Sequence, residues 1–162
     1  MQLPNEAPLL SWKNILAPTD FSEPSKQAMA TVAGLAEKCA AKITLLHVVQ
    51  LPAACPVEAG LDVDEVMHAA EESLEEMARE MPPGLVGEKL VRWGASGTVQ
   101  TIIDAARELS TDLIVVATHG HSRLKQVWLG GTAEKVVRQA PCPVLVMRRK
   151  QNPAEPAPGR SN

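Results

Sequence analysis

Gly120, Gly130, Gly131 and Thr132 are the residues whose types and spacing carry the most chemistry in this chain. The adjacent pair Gly130-Gly131 stands directly before a helical pattern over 132–139, and the apolar run Leu113–Ala117 precedes the loop that holds it. A strand, a glycine loop and a helix in that order make an anion-binding unit. The first N–H groups of a helix have no partner inside it. The aligned peptide dipoles add a partial positive charge worth ~0.3–1 kcal/mol to a neighbouring anion. Glycine lets a phosphate meet the backbone with no side chain between them. The same pair can equally serve as a tight turn, since glycine pairs are common before helices. In the loop, Ser122 is a hydrogen-bond donor for phosphate and Arg123 can neutralise its charge, while Lys125 suits either phosphate or solvent.

Asp20 is the next candidate. Its carboxylate can accept from a ribose or an adenine amino group, help hold a metal, or simply cap the following helix through Ser22-Glu23-Pro24. His47 reads as a satisfied strand histidine. In His119-Gly120-His121 the two imidazoles project apart on a strand, and no third ligand stands at a telling spacing. Glu71, Glu72, Glu75 and Glu76 read as a solvated helix face, because the run lacks the oxygen-ligand loop of a cation site. The cysteines, Cys39, Cys55 and Cys142, are odd in number and without framework spacing, which predicts reduced thiols in a cytoplasmic protein. Cys39 and Cys142 read as packing residues, and Cys55 as an oxidisable loop thiol. No Ser-His-Asp order, paired carboxylates, zinc signature or Walker A lysine stands out. A phosphate site with no dedicated nucleophile, base or cation clamp predicts a sensor more readily than an efficient enzyme.

These residues must be positioned by a packed scaffold. The 162 residues suit one domain, and 45% are hydrophobic, which predicts a core rather than disorder. Three tryptophans and one phenylalanine, with no tyrosine, argue against a stacking platform for single-stranded nucleic acid. A net charge of −3 argues against a generic DNA binder. No apolar run approaches the ~20 residues of a membrane span, and the first residues do not read as a secretory signal. Residues 1–11 read as an irregular leader, 12–149 as the domain and 150–162 as a disordered tail.

Apolar runs predict strands over 13–18, 43–49, 89–93, 113–117 and 144–147. Helical spacing predicts helices over 24–40, from Asp62 (with Glu65 as its capping-box partner) to the Pro82-Pro83-Gly84 break, after Gly94-Ala95-Ser96-Gly97, and over 132–139. Five strands alternating with four helices predict an α/β, doubly wound parallel sheet with right-handed crossovers. In such sheets ligands lie beyond the carboxyl ends of the strands, where the winding reverses.

Three segments resemble the universal stress protein family: Asn14-Ile15-Leu16-Ala17-Pro18-Thr19-Asp20-Phe21-Ser22, Leu45-Leu46-His47-Val48-Val49, and the stretch from Ala117-Thr118-His119-Gly120 through Gly130-Gly131-Thr132-Ala133-Glu134 to Ala140-Pro141-Cys142-Pro143-Val144-Leu145-Val146. The resemblance covers about residues 12–149. It implies a five-stranded parallel sheet in the order 3-2-1-4-5 with four helices, similar to the adenine nucleotide alpha hydrolases, with the ligand crevice between strands one and four. In the ATP-binding branch the signature is Gly, two residues, Gly, nine residues, Gly, then Ser or Thr. Gly120 and Gly130 match it, whereas Ala117 stands at the first glycine and Gly131 at the Ser/Thr position, with Thr132 directly after.

The resemblance implies contacts to ATP, ADP or AMP, with or without Mg2+, from three places. Ala17, Pro18, Thr19 and Asp20 follow the first strand. Val48 resembles the residue whose backbone meets the adenine edge. Ala117, Thr118, Gly120, Ser122, Arg123, Gly130, Gly131, Thr132 and Ala133 surround the phosphates. It also implies a homodimer through the last strand, Val144, Leu145, Val146 and Met147. The expected function is a cytoplasmic stress-response protein regulated by an adenine nucleotide. One alternative is a dimeric interaction module that has lost the nucleotide, on the strength of Ala117 and Gly131. The other is a slow ATP hydrolase or phosphotransferase using His119, His121 or Asp20.

Overall fold

The computed structural model describes residues 11–50, 62–118 and 131–147. The tail, Cys55, nearly all of the leader, and the loop residues His119, Gly120, His121, Ser122, Arg123, Lys125 and Gly130 lie outside the described residues. In chain order the elements are β1 (Asn14–Thr19), α1 (Glu23–Cys39), β2 (Lys42–Val49), α2 (Val63–Arg79), β3 (Val86–Trp93), α3 (Thr98–Glu108), β4 (Leu113–Ala117), α4 (Gly131–Gln139) and β5 (Val144–Met147). The five strands are parallel and lie in the order β3-β2-β1-β4-β5, as expected.

The apolar runs form central strands because both of their faces are covered. Side chains alternate across a strand, so each run splits between two core layers. Ile15, Ala17, Ile43, Leu45, Leu113 and Val115 pack with Met29, Val32 and Ala36 of α1 and Leu74 and Met77 of α2. Leu16, Leu46, Ile114 and Val116 pack with Ile102, Ala105 and Ala106 of α3 and Ala133 and Val136 of α4. Each large side chain buried this fully contributes about 1.5–3 kcal/mol.

Helix ends follow local chemistry. Ser22 is the N-cap of α1, its hydroxyl accepting from the Ser25 N–H, with Pro24 in the first turn. Ala40 closes the same helix in the left-handed region at φ 49°, and its N–H reaches Ala36 O and Glu37 O. The Asp62 carboxylate caps α2 by accepting from the N–H groups of Asp64 and Glu65.

Several boundaries differ from those expected. Pro18 does not end β1, which runs on to Thr19. Registered pairing with β4 stops at Leu16, so only the β2 side continues past it, and a proline is tolerated where no ladder bond is required of its nitrogen. β3 begins at Val86, three residues before the apolar part, because an edge strand can expose Gly87, Glu88 and Lys89. Gly131 is the first residue of α4 rather than a loop residue before it.

Candidate functional site

β1 and β4 are neighbours for two registered pairs only, Ile15↔Leu113 and Leu16↔Ile114. β1 stays paired to β2 as far as Thr19↔His47, and β4 stays paired to β5 as far as Ala117↔Met147. The sheet therefore splits at its carboxyl end where the winding reverses. A cavity of about 530 Å³ fills that split, within the ~300–1,000 Å³ of small-molecule sites.

One wall is the end of β1. Pro18, Thr19 and Asp20 line the cavity, as does Ser25 of α1. This turn is fixed by its own bonds. Thr19 Oγ1 accepts from the Phe21 N–H at 3.1 Å and from Ser25 Oγ at 2.7 Å. Asp20 Oδ1 accepts from the Ser22 N–H at 3.0 Å. Phe21 sits in the left-handed region at φ 59°, sparsely populated for a side chain of its size. Its ring stacks on His47 with centroids 4.4 Å apart. His47 Nδ1 lies 2.9 Å from Thr19 O; a carbonyl only accepts, so Nδ1 carries the proton. Asp20 thus lines the cavity and also closes the turn into α1. One bond leaves most of a carboxylate's accepting capacity available.

The floor and far wall come from β2 and α3. Leu46, Val48 and Ile102 are the apolar lining, and His47, Gln50 and Thr98 are polar residues beside them. The third wall is β4 and the start of α4, with Val116, Ala117, Thr118, Gly131, Thr132 and Ala133. Gly131 and Thr132 are exposed, and Ala133 is buried in the layer under them. The opening turn of α4 lines the cavity, so its N–H groups, which lack intrahelical partners, belong to the site. Among the described residues, a Cβ placed on Gly131 meets nothing within 4 Å.

Of the residues expected here, Ala17 is set apart: it is fully buried on the α1–α2 side of the sheet and does not line the cavity. Gly120, Ser122, Arg123 and Gly130 lie outside the described residues. Pro18, Thr19, Asp20, Val48, Ala117, Thr118, Gly131, Thr132 and Ala133 come together in one cavity. Ser25, Gln50, Thr98 and Ile102 also line the cavity, and no sequence motif marks them. Ser25 and Ile102 read as helix positions like any other, and Thr98 reaches the site only through the β3–α3 crossover.

The titration shifts lie elsewhere. Burial pushes the Cys142 thiol up, the Ile114 backbone hydrogen bond opposes it, and the Asp112 charge adds to it, which suits a packing role. Lys89, by hydrogen bond and then by charge, holds the Glu75 carboxyl below its usual range. Three glutamates of α2 make surface pairs, Glu75 with Lys89 at 2.6 Å and Glu71 and Glu72 with His68. Among the described residues no three His, Cys, Asp or Glu side chains gather as a metal site, and no helix is long and apolar enough to cross a membrane.

The sequence model of the Universal stress protein family matches residues 11–148. The chain belongs to that family. A Staphylococcus aureus (strain USA300) protein bearing the family's name is 30% identical to this universal stress protein over 154 residues, 91% of this chain and 90% of its own. A solved protein, MJ0577, is 28% identical, with a TM-score of 0.74 over 88% of this chain and 99% of its own. A universal stress protein solved in complex with cAMP has the same fold, with a TM-score of 0.62 and 22% identity over 85% of this chain and 98% of its own.

Proposed function

We propose that this universal stress protein binds ATP or a related adenine nucleotide in the crevice, as a regulatory ligand in the cytoplasm, and works as a homodimer. The observation that carries the reading is the split between β1 and β4, filled by a cavity whose one wall is the opening turn of α4. Helix amides and the adjoining dipole suit phosphate. Asp20 suits a ribose hydroxyl or the adenine amine, and Val48 with Leu46 and Ile102 suits the flat apolar base. The cavity volume fits a nucleotide, and a relative of the same fold has been solved with cAMP. Mg2+, if carried in, would ride on the phosphates and water, with Asp20 the one carboxylate among the described lining residues.

Isothermal titration with ATP, with and without Mg2+, tests this. Saturable heat is expected; no heat at hundreds of micromolar overturns it. A second reading, an interaction module that has lost its nucleotide, is favoured by Gly131, where the family signature has a phosphate-binding hydroxyl. Dimerisation belongs to both readings. β5 is the last strand of the sheet and exposes Leu145, with Val137 of α4 exposed as well, and an apolar edge invites a second strand. Sedimentation of a monomer alone at micromolar concentration would remove that part.

A further inference from the structure

Two polar residues of the cavity lining, Gln50 and Thr98, stand outside the β1 turn and the start of α4. Gln50, directly beyond the last residue of β2, and Thr98, at the start of α3, line the cavity together with the apolar residues Leu46, Val48 and Ile102. Among the described residues neither the Gln50 amide nor the Thr98 hydroxyl has a hydrogen-bond partner. Polar atoms beside an apolar slot are what fix a ligand's orientation in small-molecule sites.

The neighbouring strand end is cut away to make room for this arrangement. Gly94 follows β3, and its N–H donates to Val49 O at 2.9 Å. A Cβ on Gly94 would stand 2.8 Å from Val48 Cγ1, 3.2 Å from Gln50 Cγ and 3.2 Å from Val49 O. Its φ lies outside the left-handed region, so what glycine supplies there is space. Two of the side chains that would be pushed line the cavity, so Gly94 positions the far wall without belonging to it.

We propose that Gln50 is the specificity-determining residue of the site, reading the edge of the nucleotide base with its amide, and that Gly94 is the positioning residue that lets Gln50 and Val48 stand over the cavity. This rests on the nucleotide reading above and deepens it. An amide offers one donor beside one acceptor. Adenine presents the matching acceptor-beside-donor pattern on both of its edges, N1 with the amine and N7 with the amine. Guanine presents an acceptor beside a donor on one edge only, and two acceptors, O6 and N7, on the other.

The test compares ATP, GTP and tripolyphosphate by titration on the full chain. Wild type is expected to take ATP in preference to GTP and tripolyphosphate. Gln50→Leu, at an exposed position where the fold is not at stake, should weaken ATP by roughly tenfold, the scale of one bidentate base contact, and leave tripolyphosphate unchanged. Gln50→Glu, which can only accept, should move the ATP-to-GTP ratio towards GTP. Gly94→Ala should weaken ATP severalfold with tripolyphosphate unchanged, in protein shown by thermal melting to be folded. An ATP-to-GTP ratio unmoved in both Gln50 variants overturns the proposal while ATP binding stands. Wild type that binds no nucleotide removes both readings.

Discussion

At the amino ends of the strands, Asp112 Oδ2 accepts from the backbone N–H groups of Lys13 at 2.8 Å and Asn14 at 2.9 Å, tying the start of β1 to that of β4. Lys13 Nζ adds a bond to Cys39 O, and Lys42 Nζ one to Gly84 O. At the carboxyl ends, the same two strands part after Leu16 and Ile114, and Asp20 takes one short-range bond from Ser22. Two aspartates, each at an end of a central strand, therefore do different work. Asp112 closes one seam of the sheet by spending its oxygen on backbone from another strand. Asp20 stays within its own turn and keeps lone pairs for something else. A parallel sheet can be stapled at one end and left open at the other, because ligands gather only where the carboxyl ends reverse their winding.

Substitutions can break this contrast, beginning with the largest effect. Asp112→Ala should destabilise the protein by ~2–3 kcal/mol, the scale of losing hydrogen bonds to a charged acceptor, with ATP affinity unchanged; urea unfolding and titration measure both. A matching loss of affinity would mean that the two ends are coupled. Asp20→Ala should do the reverse. ATP affinity should fall by about tenfold, ~1.4 kcal/mol, with less than ~1 kcal/mol lost from stability. Restoring the family signature with Ala117→Gly and Gly131→Ser together should tighten ATP severalfold. Among the described residues nothing lies within 4 Å of a Cβ at 131, so none of them obstructs the serine. Unchanged affinity in that double variant would show that neither departure matters.

The smallest effect belongs to the surface between α2 and β3. Glu75, held low by Lys89, contributes stability above the ordinary carboxylate range, and that contribution is lost as pH falls through its lowered value. Lys89→Gln should therefore lower the urea midpoint slightly at neutral pH, and the difference from wild type should vanish in acid. A difference that persists in acid would assign the loss to packing by the lysine stem instead.

The layered fold was legible because burial on both faces leaves continuous apolar runs in β1, β2 and β4, and helical spacing marks Val32, Ala36, Leu74 and Ile102. β3 was read short because its first residues are exposed and carry no such run. The turn after β1 and the start of α4 were legible as elements that line the cavity, since proline, aspartate and glycine punctuate the chain there. Ala17 could not be separated from Pro18 by spacing; the pleat alone turns it to the other core layer. Gln50 and Thr98 were invisible as a pair. They stand 48 positions apart in the sequence, and a crossover through β3 brings both to one cavity. Gly94 gave no sign of its role either, because the space it leaves is defined by Val48 of β2 and by Gln50 just past the end of that strand.

If two copies pair through β5, that strand also decides how they could sense one another. It bonds to β4 along one side and ends the strand order on the other. Joining two copies there about a twofold axis, antiparallel, would merge both halves into one continuous sheet whose strand directions flip at the seam. The two mouths would then face away from each other, and bound guests could never touch. Any conversation between them would have to cross the seam through β4, the strand that lends Ala117 to the cavity and holds β5 in register.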